Sequence, residues 1–242
     1  GHWVADRQSG PLLLKFGTEK QRQLICARIA RGELIFAIGM SEPDSGSDLA
    51  SIRTRAVKTD GGWVVNGTKI WTSEAHHADY MIALFRTDTD PDDRHAGMSQ
   101  FLVDMKTPGV TARPLRNITG DLSFNEVSFV DAFIPDDMIV GGEGEGWKQV
   151  IAELAFERAG PERYMSSYIL LTALIREISQ NPGERAAVTL GRLVAHLGTL
   201  RQMSLSVAGM QNAGEDPALA GSIVKDLGGV YEQDMPKIAH EL

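Results

Sequence analysis

The sequence has little cysteine and no long apolar run. Its 242 residues include a single cysteine, Cys26, so the chain can form no internal disulfide, which is typical of a reducing compartment. No apolar run approaches the roughly 20 residues of a membrane-spanning helix, and no basic, acid-poor leader is present. The sequence therefore predicts a cytoplasmic protein, or one of the mitochondrial matrix if the chain is part of a longer one.

An excess of basic residues is also missing. The 24 lysines and arginines are outnumbered by 32 aspartates and glutamates, for a net charge of −8, which argues against a nucleic-acid partner or an anionic membrane surface. What the sequence does contain is a hydrophobic fraction of 43%, enough for a sizeable core. The length suits one large domain or two ordinary ones.

Hydrophobic periodicity divides the chain into three predicted domains. Residues 1–35 show helical spacing with breaks at Gly17 and Gly32, residues 36–141 show short alternating or β-branched runs, and residues 142–242 return to helical spacing. Strands are predicted near 63–67, 80–85, 98–103 and 126–130, and later helices from about 150 to 175, 184 to 212 and 217 to 242. The predicted fold is α+β and multidomain, with a helical N-terminal part, an antiparallel β-barrel or sandwich in the middle and a C-terminal helical bundle.

Residues 36–48 pass from an apolar run into a turn of small polar residues. Two glycines and three serines lie within ten residues, so little side chain blocks access to the backbone N–H groups. A concavity of such donors can hold phosphate or another anion without lysine or arginine. The same composition is found in ordinary surface turns, and it leaves both interpretations open.

Several motifs in this order resemble those of the acyl-CoA dehydrogenase family. Residues 40–48, Met-Ser-Glu-Pro-Asp-Ser-Gly-Ser-Asp, are similar to that family's signature Met-Ser/Thr-Glu-Pro-x-x-Gly-Ser-Asp. Co-linear agreement extends to residues 32–33, 66–73, 96–103, 130–135 and 142–147. The resemblance covers most of the chain and fades after about Tyr168. It implies a helical domain, a β domain and a helical bundle that bind FAD between domains and subunits, with the first domain beginning late and the last one incomplete.

The resemblance implies which residues bind FAD. They are Ile38, Met40, Ser41, Gly46, Ser47, Trp71, Thr72 and Ser73. In the family, the residues matching Met40 and Ser41 meet the pyrimidine edge of the flavin, and the one matching Ser47 lies between cofactor phosphates and substrate. The residue matching Trp71 lies against the ring, and the hydroxyl matching Ser73 bonds near N5. Without the family, Trp71 would be read as a core aromatic.

This sequence departs from the family at two places near the implied flavin site. It has Thr72-Ser73-Glu74 where Ile-Thr-Asn is common, which keeps a hydroxyl but shortens the group. It has Asp44 where glycine is usual, which adds a negative charge near the implied pyrophosphate.

The resemblance also implies a catalytic base. Desaturation of a thioester needs a carboxylate in a dry pocket that raises its pKa towards the working pH. In a minority of members this base lies on the first long helix after the β domain, directly before an arginine, and Glu157-Arg158 matches that place. Glu157 is the predicted base, and Arg158 is predicted to neutralise a phosphate or carboxylate of the substrate. Glu-Arg pairs on helices also form ordinary ion pairs, and both interpretations stay open.

The resemblance implies FAD-dependent dehydrogenation of an acyl-CoA to its trans-2-enoyl-CoA, with electrons passed to an electron-transfer flavoprotein, in a homo- or hetero-oligomer. The alternatives are a non-catalytic subunit that completes a cofactor site, and an acyl-CoA oxidase. No metal site is predicted, because His76 and His77 in a strand would point to opposite faces and no further Cys or His has ligand spacing.

Overall fold

The computed structural model describes residues 2–88, 93–180 and 183–242. The chain forms two compact units, Gly1–Glu153 and Leu154–Leu242. The predicted division into domains at residues 35 and 141 stays a prediction. Within the described residues, no helix is long and apolar enough to cross a membrane.

The first unit begins with short helical segments. They are a π-helical segment Ala5–Ser9, α1 (Gly10–Phe16), α2 (Glu19–Gln21), a second π-helical segment Arg22–Cys26 and α3 (Ala27–Ala30). As predicted, the helical segments are interrupted at Gly17 and end before Gly32, whose φ of 71° suits glycine. A capping box begins α2, because the Thr18 hydroxyl accepts from the Gln21 N–H and the Gln21 side chain accepts from the Thr18 N–H.

A seven-stranded sheet follows. Its strands are β1 (Phe36–Gly39), β2 (Arg55–Thr59), β3 (Gly62–Ser73), β4 (Tyr80–Arg86), β5 (Met98–Asp104), β6 (Val110–Leu115) and β7 (Phe124–Pro135). The strand order is β1-β4-β2-β3-β7-β6, and β5 pairs with β4. Most pairs are antiparallel, as predicted, but β1 and β2 run parallel to β4. The four predicted strands are all present as β3, β4, β5 and β7. The apolar run at residues 36–39 was compatible with the end of a strand or of a helix and is strand β1, and the sequence did not predict β2 or β6.

Two apolar clusters stabilise the first unit. One lies on the sheet and includes Trp63, Phe85, Phe101, Phe129 and Ile134. The other packs the N-terminal helices onto β1 and includes Leu12, Leu13, Ile25, Phe36 and Ile82. Full burial of each such side chain stabilises the fold by about 1.5–3 kcal/mol. This packing fixes the position of β1, and therefore of the turn that follows it.

The second unit is helical. The helix α4 (Gly146–Glu157) contributes its last four residues to it, and a 3₁₀ turn, Pro161–Arg163, precedes α5 (Tyr168–Gln180), α6 (Glu184–Asn212) and α7 (Ala218–Glu241). The core of this unit contains Leu171, Leu193, Leu200, Val207, Val224 and Tyr231. The α6 bounds match the prediction, but the run predicted from about 150 to 175 is two helices. Pro161 ends the first, because the residue before it, Gly160, is extended (ψ 156°).

The α4 helix carries a fully buried carboxyl group, that of Glu153. The Gln100 side-chain amide donates to its Oε2 at 3.0 Å. Among the described residues, Glu153 Oε1, Gln100 Oε1 and Gln149 Oε1 are all buried without a hydrogen-bond partner. Burial raises the pKa of Glu153 from 4.5 to about 7, partly opposed by the Gln100 hydrogen bond. A proton on Glu153 supplies a donor to a cluster that otherwise holds an excess of acceptors.

We expect the stability of the protein to fall as the pH rises from about 4.5 through 7, by roughly 3 kcal/mol from this group. The native state binds the Glu153 proton more tightly than the unfolded chain does, so deprotonation favours unfolding. Two other buried groups change the stability outside this pH range. Glu42, whose pKa is lowered, changes it below pH 4.5, and Lys69, whose pKa is lowered to about 8, changes it above this range.

Urea unfolding of the unaltered protein and of Glu153→Gln at about pH 5 and about pH 8 measures this effect. The variant is expected to lose most of the pH dependence in this window. The control is Glu143→Gln, which removes an exposed carboxylate of the same unit. An equal fall in stability with pH in Glu153→Gln and in the unaltered protein would contradict the assignment.

Candidate functional site

A cavity of about 320 Å³ lies in the first unit, where the N-terminal helical segment, the end of β1 and the end of β3 meet. Its lining residues are Trp3, Val4, Gln8, Ile38, Met40, Ser41, Ile70, Trp71 and Ser73. Five of these are predicted site residues from two motifs about 30 residues apart in the sequence. The structure therefore brings Ile38, Met40 and Ser41 to one concave surface with Trp71 and Ser73.

The turn after β1 is fixed by a buried lysine. Lys69, fully buried on β3, donates from Nζ to the Met40 carbonyl at 3.0 Å and to Glu42 Oε1 at 2.8 Å. Glu42 in turn accepts from the backbone N–H groups of Arg53 and Thr54, at 2.7 and 3.0 Å. One lysine and one glutamate thus join the end of β1, the middle of β3 and the start of β2, which sets the orientation of the cavity wall.

The electrostatics of this pair follow from its burial. Desolvation lowers the pKa of Lys69 to about 8, although the Glu42 carboxylate opposes the shift. The pKa of Glu42 is lowered, because Lys69 and the backbone donors together outweigh the effect of its burial. We infer that both groups are ionised at neutral pH and that each needs the other.

Trp71 is exposed and lies on a strained backbone. Its φ is 59°, a region that L-residues rarely adopt, and its side chain is 62% exposed. It lies where the register of the β3–β7 pairing shifts, between Lys69 and Thr72. Its ring packs edge-on against Phe124, with the ring centroids 6.0 Å apart. The core role suggested by residue type alone is therefore wrong: the irregularity turns a large aromatic ring towards the cavity.

Thr72 and Ser73 face different surroundings. Ser73 lines the cavity, whereas Thr72 is 1% exposed and its hydroxyl has no hydrogen-bond partner among the described residues. The Thr72 carbonyl accepts from the Asn125 side-chain amide at 2.9 Å. Asn125 is fully buried, so it holds the end of β3 in place behind Ser73.

The glycine-serine part of the signature lies outside the cavity lining. Gly46 and Ser47 are exposed, and nothing stands within 4 Å of where a Cβ on Gly46 would be. Asp44 is also exposed and lies 4.0 Å from Arg53, so its negative charge points to solvent beside a cation. These positions leave Asp44, Gly46 and Ser47 accessible to an approaching ligand, whereas Ser45 is buried.

Glu157 is buried in the second unit and forms an ion pair with Arg163. The neighbouring Arg158 donates to the Ser222 hydroxyl at 3.0 Å, and its Nε is buried without a partner among the described residues. Arg158 also lines a cavity of about 310 Å³ together with Lys225 and Asp226. Burial, Arg163 and Arg158 all lower the pKa of Lys225, so this end of the second unit is a region of clustered positive charge in which the carboxylates of Glu157 and Asp226 also lie.

The sequence analysis placed His76 and His77 in a strand, and that placement is wrong. Strand β3 ends at Ser73, and residues 74–77 form a turn in which the two imidazole rings lie 3.9 Å apart. The two rings therefore share a surface instead of facing apart.

Sequence reasoning missed Trp3, Val4, Gln8 and Ile70 as cavity residues and Lys69 as the anchor of the turn. Trp3, Val4 and Gln8 come from a segment that carries no motif, and only the packing of the N-terminal helices against β1 brings them to the cavity. The role of Lys69 could have been predicted, because a lysine within a strand of mainly apolar residues is buried only when it has a partner.

Comparison with known proteins places the chain among acyl-CoA dehydrogenases. Residues 37–132 match the family model "Acyl-CoA dehydrogenase, middle domain". The chain is 39% identical over 249 residues to acyl-CoA dehydrogenase FadE34 of Mycobacterium tuberculosis, covering 100% of this chain and 33% of that protein. It is 45% identical over 149 residues to acyl-CoA dehydrogenase IpdE1 of the same organism, covering 62% of this chain and 38% of the relative.

Solved structures show the same fold. A variant of the Tcur3481-Tcur3483 steroid ACAD superimposes with a TM-score of 0.90 at 28% identity, over 98% of this chain and 63% of that one. A chain of the ChsE4-ChsE5 complex from Mycobacterium tuberculosis superimposes with a TM-score of 0.82 at 29% identity, over 99% of this chain and 64% of that one. The predicted fold class is confirmed by these structures.

The chain spans about a third of the length of FadE34 and IpdE1, at 33% and 38%. The range matched by the family model includes the motifs of residues 40–48 and 66–73. The chain belongs to the acyl-CoA dehydrogenase family, and its residues 37–132 match that family's middle domain.

Proposed function

We propose that the protein to which this chain belongs carries out FAD-dependent α,β-dehydrogenation of an acyl-CoA thioester to the trans-2-enoyl-CoA. The observation that carries the proposal is the cavity of the first unit, which is lined by five residues of the two implied flavin motifs, Ile38, Met40, Ser41, Trp71 and Ser73. When bound, FAD supplies the two-electron acceptor for the hydride that leaves the β-carbon.

The cavity residues fit a flavin in their chemistry. None of the nine lining residues is acidic, so no carboxylate in the wall opposes negative charge on a reduced ring. Ser73 offers a neutral hydroxyl, and Ile38, Val4 and Ile70 supply apolar wall that excludes water. The exposed, strained Trp71 gains a covered face if a planar ring lies against it.

The remaining FAD contacts are assigned to Met40, Ser41, Gly46, Ser47 and Thr72. Lys69 holds the Met40 carbonyl and Ile70 N–H donates to the Ser41 carbonyl at 2.9 Å, which orients both peptide groups of the wall. The exposed Gly46 and Ser47 leave room for phosphate oxygens to approach backbone donors. Ser47 is also assigned to the substrate.

Glu157 is assigned the role of base, which removes the α-proton, and Arg158 that of a substrate contact. Burial of Glu157 supports the assignment, since a proton-abstracting carboxylate is most effective away from bulk water. The Glu157 carboxylate must accept a proton, so in this proposal Arg163 moves away from the carboxylate when substrate binds. Arg158 lies in the region of clustered positive charge, which suits an anionic part of a CoA thioester.

Anaerobic mixing of the purified protein with acyl-CoA thioesters tests the proposal. We expect a flavin absorbance band that at least one thioester bleaches without oxygen, followed by reoxidation on addition of an electron-transfer flavoprotein. The panel includes a straight-chain acyl-CoA and a steroid side-chain CoA thioester, because one structural neighbour is named a steroid ACAD. A protein without bound flavin would contradict the cavity assignment.

A non-catalytic subunit is the second candidate, and the Glu157–Arg163 ion pair favours it because a paired carboxylate is not free to act as a base. Flavin that no thioester bleaches would support this reading. One structural neighbour is a chain of the ChsE4-ChsE5 complex, so for this candidate we would test whether the protein forms a hetero-oligomer. Oxygen-dependent release of peroxide at the dehydrogenation rate would identify an oxidase instead.

A further inference from the structure

The turn that follows β3 displays three side chains capable of binding a metal ion. It comprises residues 74–77 and is closed by the His77 N–H, which donates to the Glu74 carbonyl at 2.9 Å. The Glu74 N–H donates to the Ser123 carbonyl at 2.8 Å, which ties the turn to the neighbouring loop. Glu74 has a φ of 56°, a conformation that these two hydrogen bonds maintain.

The ligand atoms of Glu74, His76 and His77 all lie within 4.8 Å of one another. In the part of the chain that the structure describes, this is the one group of three or more His, Cys, Asp or Glu side chains with that spacing. Two imidazoles and one carboxylate form the kind of ligand set that Zn²⁺ and similar ions use, with water at the remaining position. Ligands on one such ion lie at most about 4 Å apart, a separation that a small rotation of the exposed His77 side chain can supply.

The hydrogen bonding of His76 leaves one of its nitrogens ready for a metal. Asn125 donates from Nδ2 to the Thr72 carbonyl at 2.9 Å, so its Oδ1 is the end that faces His76. His76 Nδ1 lies 2.9 Å from that Oδ1 and must therefore carry the proton that it donates. In the neutral ring this places the lone pair on Nε2. Metal-binding histidines are commonly oriented in this way, by a group that accepts a hydrogen bond from the ring nitrogen that does not bind the ion.

We propose that Glu74, His76 and His77 bind one divalent transition-metal ion of the Zn²⁺ type. The ion would stiffen the turn directly after Ser73, and through Asn125 it would connect to the backbone of Thr72. The role is one of binding and local ordering, and it needs no redox change at the metal. The inference does not depend on the proposed dehydrogenase activity.

Titration of the EDTA-treated, dialysed protein with Zn²⁺ in a calorimeter tests the site, and the visible absorption of bound Co²⁺ reports the ligand geometry. We expect one ion per chain, and an affinity at least about tenfold weaker in His76→Ala and in His77→Ala. Glu74→Gln is expected to weaken binding as well. Mg²⁺, which prefers oxygen ligands, is not expected to compete.

The matched control is His95→Ala, which removes an exposed histidine of the same unit and should leave the titration unchanged. If His76→Ala does not fold, His77→Ala decides alone, because His77 is exposed and its loss leaves the Asn125 hydrogen bonds in place. The proposal is overturned if the unaltered protein shows no saturable binding of Zn²⁺. It is overturned equally if His77→Ala binds the ion as tightly as the unaltered protein.

Discussion

The Glu157→Gln variant is expected to keep its FAD and to show bleaching by acyl-CoA slowed about 10²- to 10⁴-fold, the range for loss of a general base. Glutamine has nearly the same shape as glutamate and can still accept a hydrogen bond from Arg163. It cannot take up the α-proton. The loss should therefore fall on the rate of bleaching, measured by anaerobic stopped-flow absorbance, and not on flavin content.

The control for this variant is Glu177→Gln, which removes an exposed carboxylate from α5 of the same unit and should bleach at the unaltered rate. Normal bleaching by Glu157→Gln would show that another group takes the proton. Loss of both flavin and folded structure would point instead to a purely structural ion pair with Arg163.

The Lys69→Met variant is expected to lose about 3–5 kcal/mol of unfolding free energy, because it leaves the buried Glu42 carboxylate without its cation. Methionine is of similar length and fits the buried position, so the loss reflects charge and hydrogen bonding more than volume. The Met40 carbonyl also loses its donor, so the wall of the cavity should loosen and bind FAD more weakly. Urea unfolding gives the first quantity, and titration of the flavin-free protein with FAD gives the second.

The adjacent strand offers a matched control. Lys58→Met breaks the exposed pair of Lys58 with Asp136 and should cost at most about 1 kcal/mol. The double variant Lys69→Met with Glu42→Gln should recover part of the loss, because it removes the unpaired buried charge while the amide oxygen of the new glutamine can still accept from the Arg53 or Thr54 N–H. Equal losses in Lys69→Met and Lys58→Met would mean that the buried pair does not hold the turn.

The parts of the fold that could be predicted from sequence are those with a strong local pattern. The α6 helix was predicted at residues 184–212 because it is long and periodic, and glycines correctly predicted the breaks at Gly17 and Gly32. Strand β1 has four residues, too few to show a period, so its apolar run could not be assigned to a strand in preference to a helix. The break at Pro161 was missed because apolar residues on both sides of it keep the same spacing.

The candidate site shows the same limit. Its two motifs could be found because each is contiguous, but the contribution of Trp3 and Gln8 depends on how α1–α3 pack against β1. The exposed placement of Trp71 depends on a register shift in β3, which residue type does not encode. The pairing of Glu157 with Arg163 spans the turn at Pro161, so helical spacing could not predict it. The contact between His76 and His77 follows from where β3 ends.

A crystal structure of the protein with FAD bound would show directly whether the flavin occupies the cavity of the first unit. We expect the isoalloxazine ring in that cavity, against Trp71 and with the Ser73 hydroxyl within hydrogen-bonding distance of the ring. We also expect Met40 to keep its hydrogen bond to Lys69. A flavin ring bound elsewhere on the protein, with Trp71 and Ser73 left in solvent, would contradict the assignment of this cavity to FAD.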